Sequence, residues 1–154
     1  MEPVLFNRDA GLDALRRLRA ELRESMAALE QALAAPAPGR VPGWAERVEV
    51  ALVELSADLR EHVAITEGPD GLHGDVLAMV PRLSKWVERL VRDHVVIADV
   101  VADLLGRVSR PVSDDSVDAI RVLGTTLLGR LARHRQRGAD LIYEAYHVDL
   151  GGET

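Results

Sequence analysis

Residues 81–105, PRLSKWVERLVRDHVVIADVVADLL, place Leu83, Val87, Leu90, His94, Ile97, Val101 and Leu104 at alternating intervals of four and three. That alternation marks one face of an α-helix, and an apolar stripe of about 25 residues has to be buried against other helices. One member of the stripe is a histidine, so an imidazole stands where the pattern asks for a core side chain.

Three further runs share the spacing. The first holds Leu15, Leu18, Leu22, Leu29 and Leu33 and stops at Pro36-Ala37-Pro38-Gly39, where proline and glycine end helices. The second begins near Pro42-Gly43-Trp44, carries Val48, Ala51, Leu55, Leu59 and His62, and breaks at Gly68-Pro69-Asp70-Gly71. A short apolar piece, residues 72–80, follows in a glycine-rich bend, and Pro81 suits a first helical position. The last run starts after the N-cap candidates Ser113-Asp114-Asp115-Ser116, carries Ile120, Leu123, Leu127, Leu131, His134 and Leu141, and is expected to end before Gly151-Gly152. No segment alternates apolar and polar residues as a strand would. The expected fold class is all-α, an up-down four-helix bundle in a single domain over residues 1–154.

Composition narrows the chemistry. The 154 residues carry 19 Lys plus Arg against 25 Asp plus Glu, a net charge of −6, with 47% apolar residues and 3% aromatics. The absence of cysteine excludes disulfides, thiolate metal sites and thiol nucleophiles. An acidic chain is a poor electrostatic match for nucleic acid or an anionic membrane. No apolar run is long enough to span a bilayer, and no export signal is seen, so a cytoplasmic protein is expected. Phosphate loops, nucleophile elbows and EF-hand loops are missing.

Laying the second half of the chain over the first so that His62 falls on His134 also pairs Val48 with Ile120, Leu55 with Leu127, Leu59 with Leu131, and Leu22 with His94. The chain therefore reads as two αα-hairpins related by a pseudo-two-fold repeat. The equivalence puts His62, His94 and His134 at core-facing positions, and their offsets from the helix ends bring them within about two turns of one another. Each buried imidazole needs a partner for a ring nitrogen, and one bound metal ion satisfies three of them together.

The phrases Leu59-Arg60-Glu61-His62, Arg92-Asp93-His94 and Leu131-Ala132-Arg133-His134, each on its own helix, resemble the repeated leucine-and-histidine phrases of the hemerythrin-like (HHE cation-binding) family over residues 12–146. The resemblance implies a bundle holding non-haem iron, usually a di-iron pair, for dioxygen carriage or sensing, or for peroxide and nitric oxide chemistry. It implies His62, His94 and His134 as ligands. Leu22 stands where that family has its first-helix histidine, and Thr66 stands where it has a carboxylate, with Glu67 next. The remaining donors imply a mononuclear centre of three histidines assisted by Glu67, or an altered di-iron site; another divalent metal would suit the same donors.

Around that centre, Asp140 and Glu144 follow His134 on one flank, but Glu144 lies about 15 Å along the helix axis, too far to share a metal directly. Asp140 can instead pair with Arg137 at i,i+3. Gly138 leaves a side-chain-free spot one turn beyond His134, Tyr146 can line the cavity, and His73, in the bend, is expected to face solvent with a remote role as a fourth ligand. Arg130, Arg133, Arg135 and Arg137 read as a solvated basic face. A dry pocket lined by Leu22 and other aliphatics would favour a small neutral ligand such as dioxygen or peroxide, with neither nucleic acid nor membrane as partner and a homodimer compatible with the pattern. The competing expectation is a metal-free degenerate bundle serving as an interaction or small-molecule-binding module, and a weaker one is haem with an axial histidine.

Overall fold

The computed structural model describes residues 8–68 and 71–148. Four long helices carry the chain: α1 (Arg8–Ala34), α2 (Val41–Glu67), α4 (Ser84–Val108) and α5 (Asp114–Tyr143). Between α2 and α4 lie a short α3 (Leu72–Met79) and a 3-10 turn (Pro81–Leu83), and a π-helical turn (Glu144–Val148) closes α5. The described residues contain no strand. The all-helical reading therefore holds, and the long helices stop where proline and glycine punctuate the sequence. One boundary differs: Pro81 opens the separate 3-10 turn, and α4 proper starts at Ser84.

Helix α1 packs on α2 and α5, and α4 packs on the same two. Leu22, Leu29, Leu55, Leu104, Leu127 and Leu131, one or two from each long helix, are essentially inaccessible and form the main apolar core. The stripes read from the sequence thus face one another. The lower end of α1 is tied down by polar contacts: Arg121 on α5 donates from Nε to the Leu33 carbonyl and from Nη2 to the Ala35 carbonyl, both at 2.9 Å. Its guanidinium also lies 5.4 Å from the Trp44 ring centroid. A cation is thereby placed on carbonyls that the end of a helix leaves without internal partners. Close by, α1 and α5 approach at Gly124, where a Cβ would stand 2.5 Å from Leu33 Cδ1.

The segment after α2 is where the structure corrects the sequence reading. His73 was expected in solvent, but it is only 7% exposed. Helix α3 folds back, and Leu72, Val76 and Val80 join Leu15, Val87, Leu90 and Leu141 in a second apolar cluster that carries His73 inward with it. Gly71 permits this reversal. A Cβ there would lie 2.7 Å from the Thr66 carbonyl oxygen and 2.8 Å from that of Gly68, closer than any side chain allows. Pro69 and Asp70 of the turn, and the Gly151-Gly152 stop, lie outside the described residues. Among the described residues no helix is long and apolar enough to cross a membrane.

Candidate metal centre

His62 on α2, His94 on α4 and His134 on α5 converge. One donor atom from each lies within 4.8 Å of the others, and all three residues are buried. The ring centroids of His94 and His134 are 4.6 Å apart, and those of His62 lie 5.2 Å from His94 and 5.5 Å from His134, all three pairs edge-on. Leu22 on α1, fully buried, occupies the fourth helix's place at this level and supplies no donor.

Two carboxylates fix the rings from behind. Glu67, the last residue of α2, accepts a hydrogen bond from His94 Nδ1 at 2.7 Å. Asp93 accepts one from His134 Nδ1 at 3.1 Å and two from Arg137 Nη1 at 2.9 and 3.0 Å. A carboxylate accepts only, so Nδ1 carries the proton in both rings and Nε2 keeps its lone pair. His94 Nε2 is buried with no partner. His134 Nε2 lies 3.3 Å from His62 Nε2. With His134 accepting there, His62 donates from Nε2, and its Nδ1 is left buried without a partner, as found.

The three imidazoles form a group that could hold a metal ion. Two nitrogens held at about 2.05 Å by one tetrahedral ion stand about 3.3 Å apart, so the His62 and His134 pair already has that spacing. His94 and His134 present lone pairs, and His62 does so after shifting its proton to Nδ1. Burial above all, reinforced by the neighbouring imidazoles, pushes His62 down to about 3. Burial likewise pushes His73 down to about 4, and lowers His134 despite the opposing effect of its hydrogen bond to Asp93. Of the converging rings, His62 and His134 are therefore neutral at pH 7, as ligation requires. Asp93 stays ionised: burial acts to raise its carboxyl, but the hydrogen bonds from His134 and Arg137 outweigh that and hold it below the usual range.

The remaining expected site residues divide. Glu67 reaches the centre through His94 Nδ1. His73 stacks on His94, with centroids 6.1 Å apart and planes within 8°, and lines the cavity with His62 and His134. Thr66 is buried and donates its hydroxyl to the His62 carbonyl at 2.9 Å. Asp140 is exposed and accepts from Gln136, while Arg137, expected to pair with it, turns inward to Asp93. Glu144 pairs with Arg82 at 3.1 Å, away from the histidines. Tyr146 packs in the second apolar cluster.

Two spaces adjoin the triad. A cavity of about 20 Å³ is bounded by Arg19, Leu22, His62, His73, His134 and Arg135 among others. A groove of about 470 Å³ between α2 and α4, walled by Leu59, Val63, Ile97 and Val101, includes Glu67 and His94 in its lining. Sequence reasoning assigned no role to Asp93. Its signal was its place beside His94, about 100° around the helix and so turned toward the next helix in the bundle. Arg135, expected on a solvated basic face, has its Nε buried. Compared with family models, with curated proteins and with solved structures, the chain matches none.

Proposed function

We propose that His62, His94 and His134 hold one divalent transition-metal ion, with Glu67 and Asp93 orienting the rings from their far nitrogens. The observation that carries this reading is the convergence of three buried imidazoles, two of them with Nδ1 committed to a carboxylate and His94 Nε2 left unpartnered. Carboxylates hydrogen-bonded to ligating histidines fix the tautomer and raise the basicity of the coordinating nitrogen. Leaving His94 Nε2 buried without a partner costs roughly 1–3 kcal/mol, which binding a metal there would offset.

The donor set, with the resemblance noted above, favours a hemerythrin-like up-down bundle with a mononuclear non-haem iron centre, not a di-iron pair, binding dioxygen, peroxide or nitric oxide. The meeting of His62 with His134, 72 residues further on, supports the two-hairpin repeat. A bound iron would supply Lewis acidity and one-electron chemistry, while the protein's groups orient the imidazoles and exclude bulk water. The second reading is a metal-free helical module, which the direct hydrogen bond between His134 and His62 would favour.

Element analysis with an absorption spectrum of protein purified without a histidine tag tests this. Stoichiometric iron or another divalent metal supports the centre, with loading abolished in His94→Ala. A folded metal-free protein that takes up no added iron, zinc or cobalt overturns it, and a Soret band would point to haem instead.

A further inference from the structure

The cavity behind the triad is not lined only by aliphatic side chains. Arg19 on α1 and Arg135 on α5 border it together with His62, His73 and His134. Both arginines are partly buried. Among the described residues neither has a carboxylate within ion-pair distance. Arg135 Nε is buried with no hydrogen-bond partner at all. Arg19 lies across the bare face of Gly138, one turn from His134: a Cβ at Gly138 would sit 3.7 Å from Arg19 Nη2.

Unpaired guanidiniums facing one another in a half-buried setting are an unfavourable arrangement, because each loses hydration and repels the other. A nearby anion would relieve both costs. In a chain with a net charge of −6, this cationic pocket stands against the overall charge. Around the centre as a whole, the carboxylates of Glu67 and Asp93 are already engaged with His94, His134 and Arg137, so neither is available to the pair.

We infer that Arg19 and Arg135 form an anion subsite that draws a small oxyanion into the cavity beside His62 and His134. The space, about 20 Å³, sets the size. A single water needs about 10–15 Å³ on the same measure, so the space is that of one to two waters and the occupant is no larger than a triatomic oxyanion of the formate or nitrite kind, not a phosphate ester. A planar oxyanion also matches the donor fork of guanidinium. The anion's contact with the arginines stands independently; its contact with a metal rests on the reading in the preceding subsection.

The test is a titration with sodium formate, followed through the arginine Nε–H resonances of the full chain, metal-free and zinc-loaded, with formamide as the uncharged match in size. Formate is expected to shift the Arg19 and Arg135 signals saturably in both forms, at least tenfold more tightly with zinc, while formamide binds at least tenfold more weakly than formate. Arg135→Gln and Arg19→Gln are expected to abolish the saturable shift, and Arg135→Lys to retain part of it. Equal binding of formate and formamide by the wild-type chain, or the absence of any arginine shift in either form, overturns the subsite, and neither outcome depends on a variant folding. Zinc loading that leaves formate affinity unchanged overturns the anion's approach to the triad. Failure of zinc, iron and cobalt all to load while formate still shifts both arginines supports the subsite and overturns the metal reading alone.

Discussion

Asp93 and His94 are consecutive on α4 and serve different partners: His94 turns into the triad, while Asp93 reaches across to accept the Nδ1 proton of His134 at 3.1 Å. One turn of one helix thereby supplies both a ring of the cluster and the carboxylate that orients another ring. Arg137 completes the chain by donating to both oxygens of Asp93.

Replacing Asp93 by Asn keeps an acceptor near His134 but removes the charge that raises its basicity. Metal affinity, measured by competition with a chromophoric chelator, is expected to fall about 10- to 100-fold in Asp93→Asn. Unchanged affinity would mean that this carboxylate does not tune the site.

Acid should destabilise the metal-free protein through the buried imidazoles. His62 is lowered from 6.5 to about 3 by folding, so between those values the unfolded chain binds more protons than the folded one. Its contribution to stability is complete above pH 6.5 and is lost as pH falls toward 3. From pH 6.5 to 5 this one group accounts for about 2 kcal/mol, at about 1.4 kcal/mol per pH unit. Urea unfolding at pH 7, 6 and 5 should show the decline, and His62→Leu should reduce its slope, leaving the part due to His73 and His134; a flat wild-type profile would contradict the buried neutral ring.

Two glycines of α5 should respond in opposite ways to alanine. At Gly124 a Cβ would press on Leu33 Cδ1 at 2.5 Å, and Gly124→Ala is expected to lose about 1–3 kcal/mol by overpacking. At Gly129 the nearest atom is Arg133 Nη1 at 3.7 Å, ordinary contact, and Gly129→Ala is expected to gain about 0.5–1 kcal/mol from helix propensity. Denaturant midpoints of the two variants decide this.

Arg121→Met should cost about 1–3 kcal/mol, because it strips the Leu33 and Ala35 carbonyls of a charged donor and removes the cation over Trp44. The loss is expected in thermal melts and in faster amide exchange at the end of α1, with metal content unchanged.

The helices were legible in the residues. Pro36, Pro42, Gly106 and Pro111 mark boundaries observed within a few residues, and Leu22, Leu55, Val101 and Leu127 lie inside as their spacing required. The meeting of His62, His94 and His134 was legible too, because three apolar stripes each carried one imidazole at an equivalent position. Asp93, Arg19 and Arg135 were not. They lie on the flanks of their helices, where the same one-dimensional pattern describes a solvated charge and one turned into a neighbour. His73 was misplaced because glycines around a short apolar piece suggest a solvent loop, and only the fold-back of α3 onto Leu15, Leu90 and Leu141 shows otherwise.

Periodicity is a local property: a spacing of about 3.6 residues per turn decides which face of each helix is apolar, and so the helical class and the inward histidines follow from the chain alone. Which nitrogen each ring presents, which acids hold it, and which arginines border the cavity depend on the rotation and axial offset of one helix against another. Those are set by packing among side chains distant in sequence, and they emerge only once the helices have met.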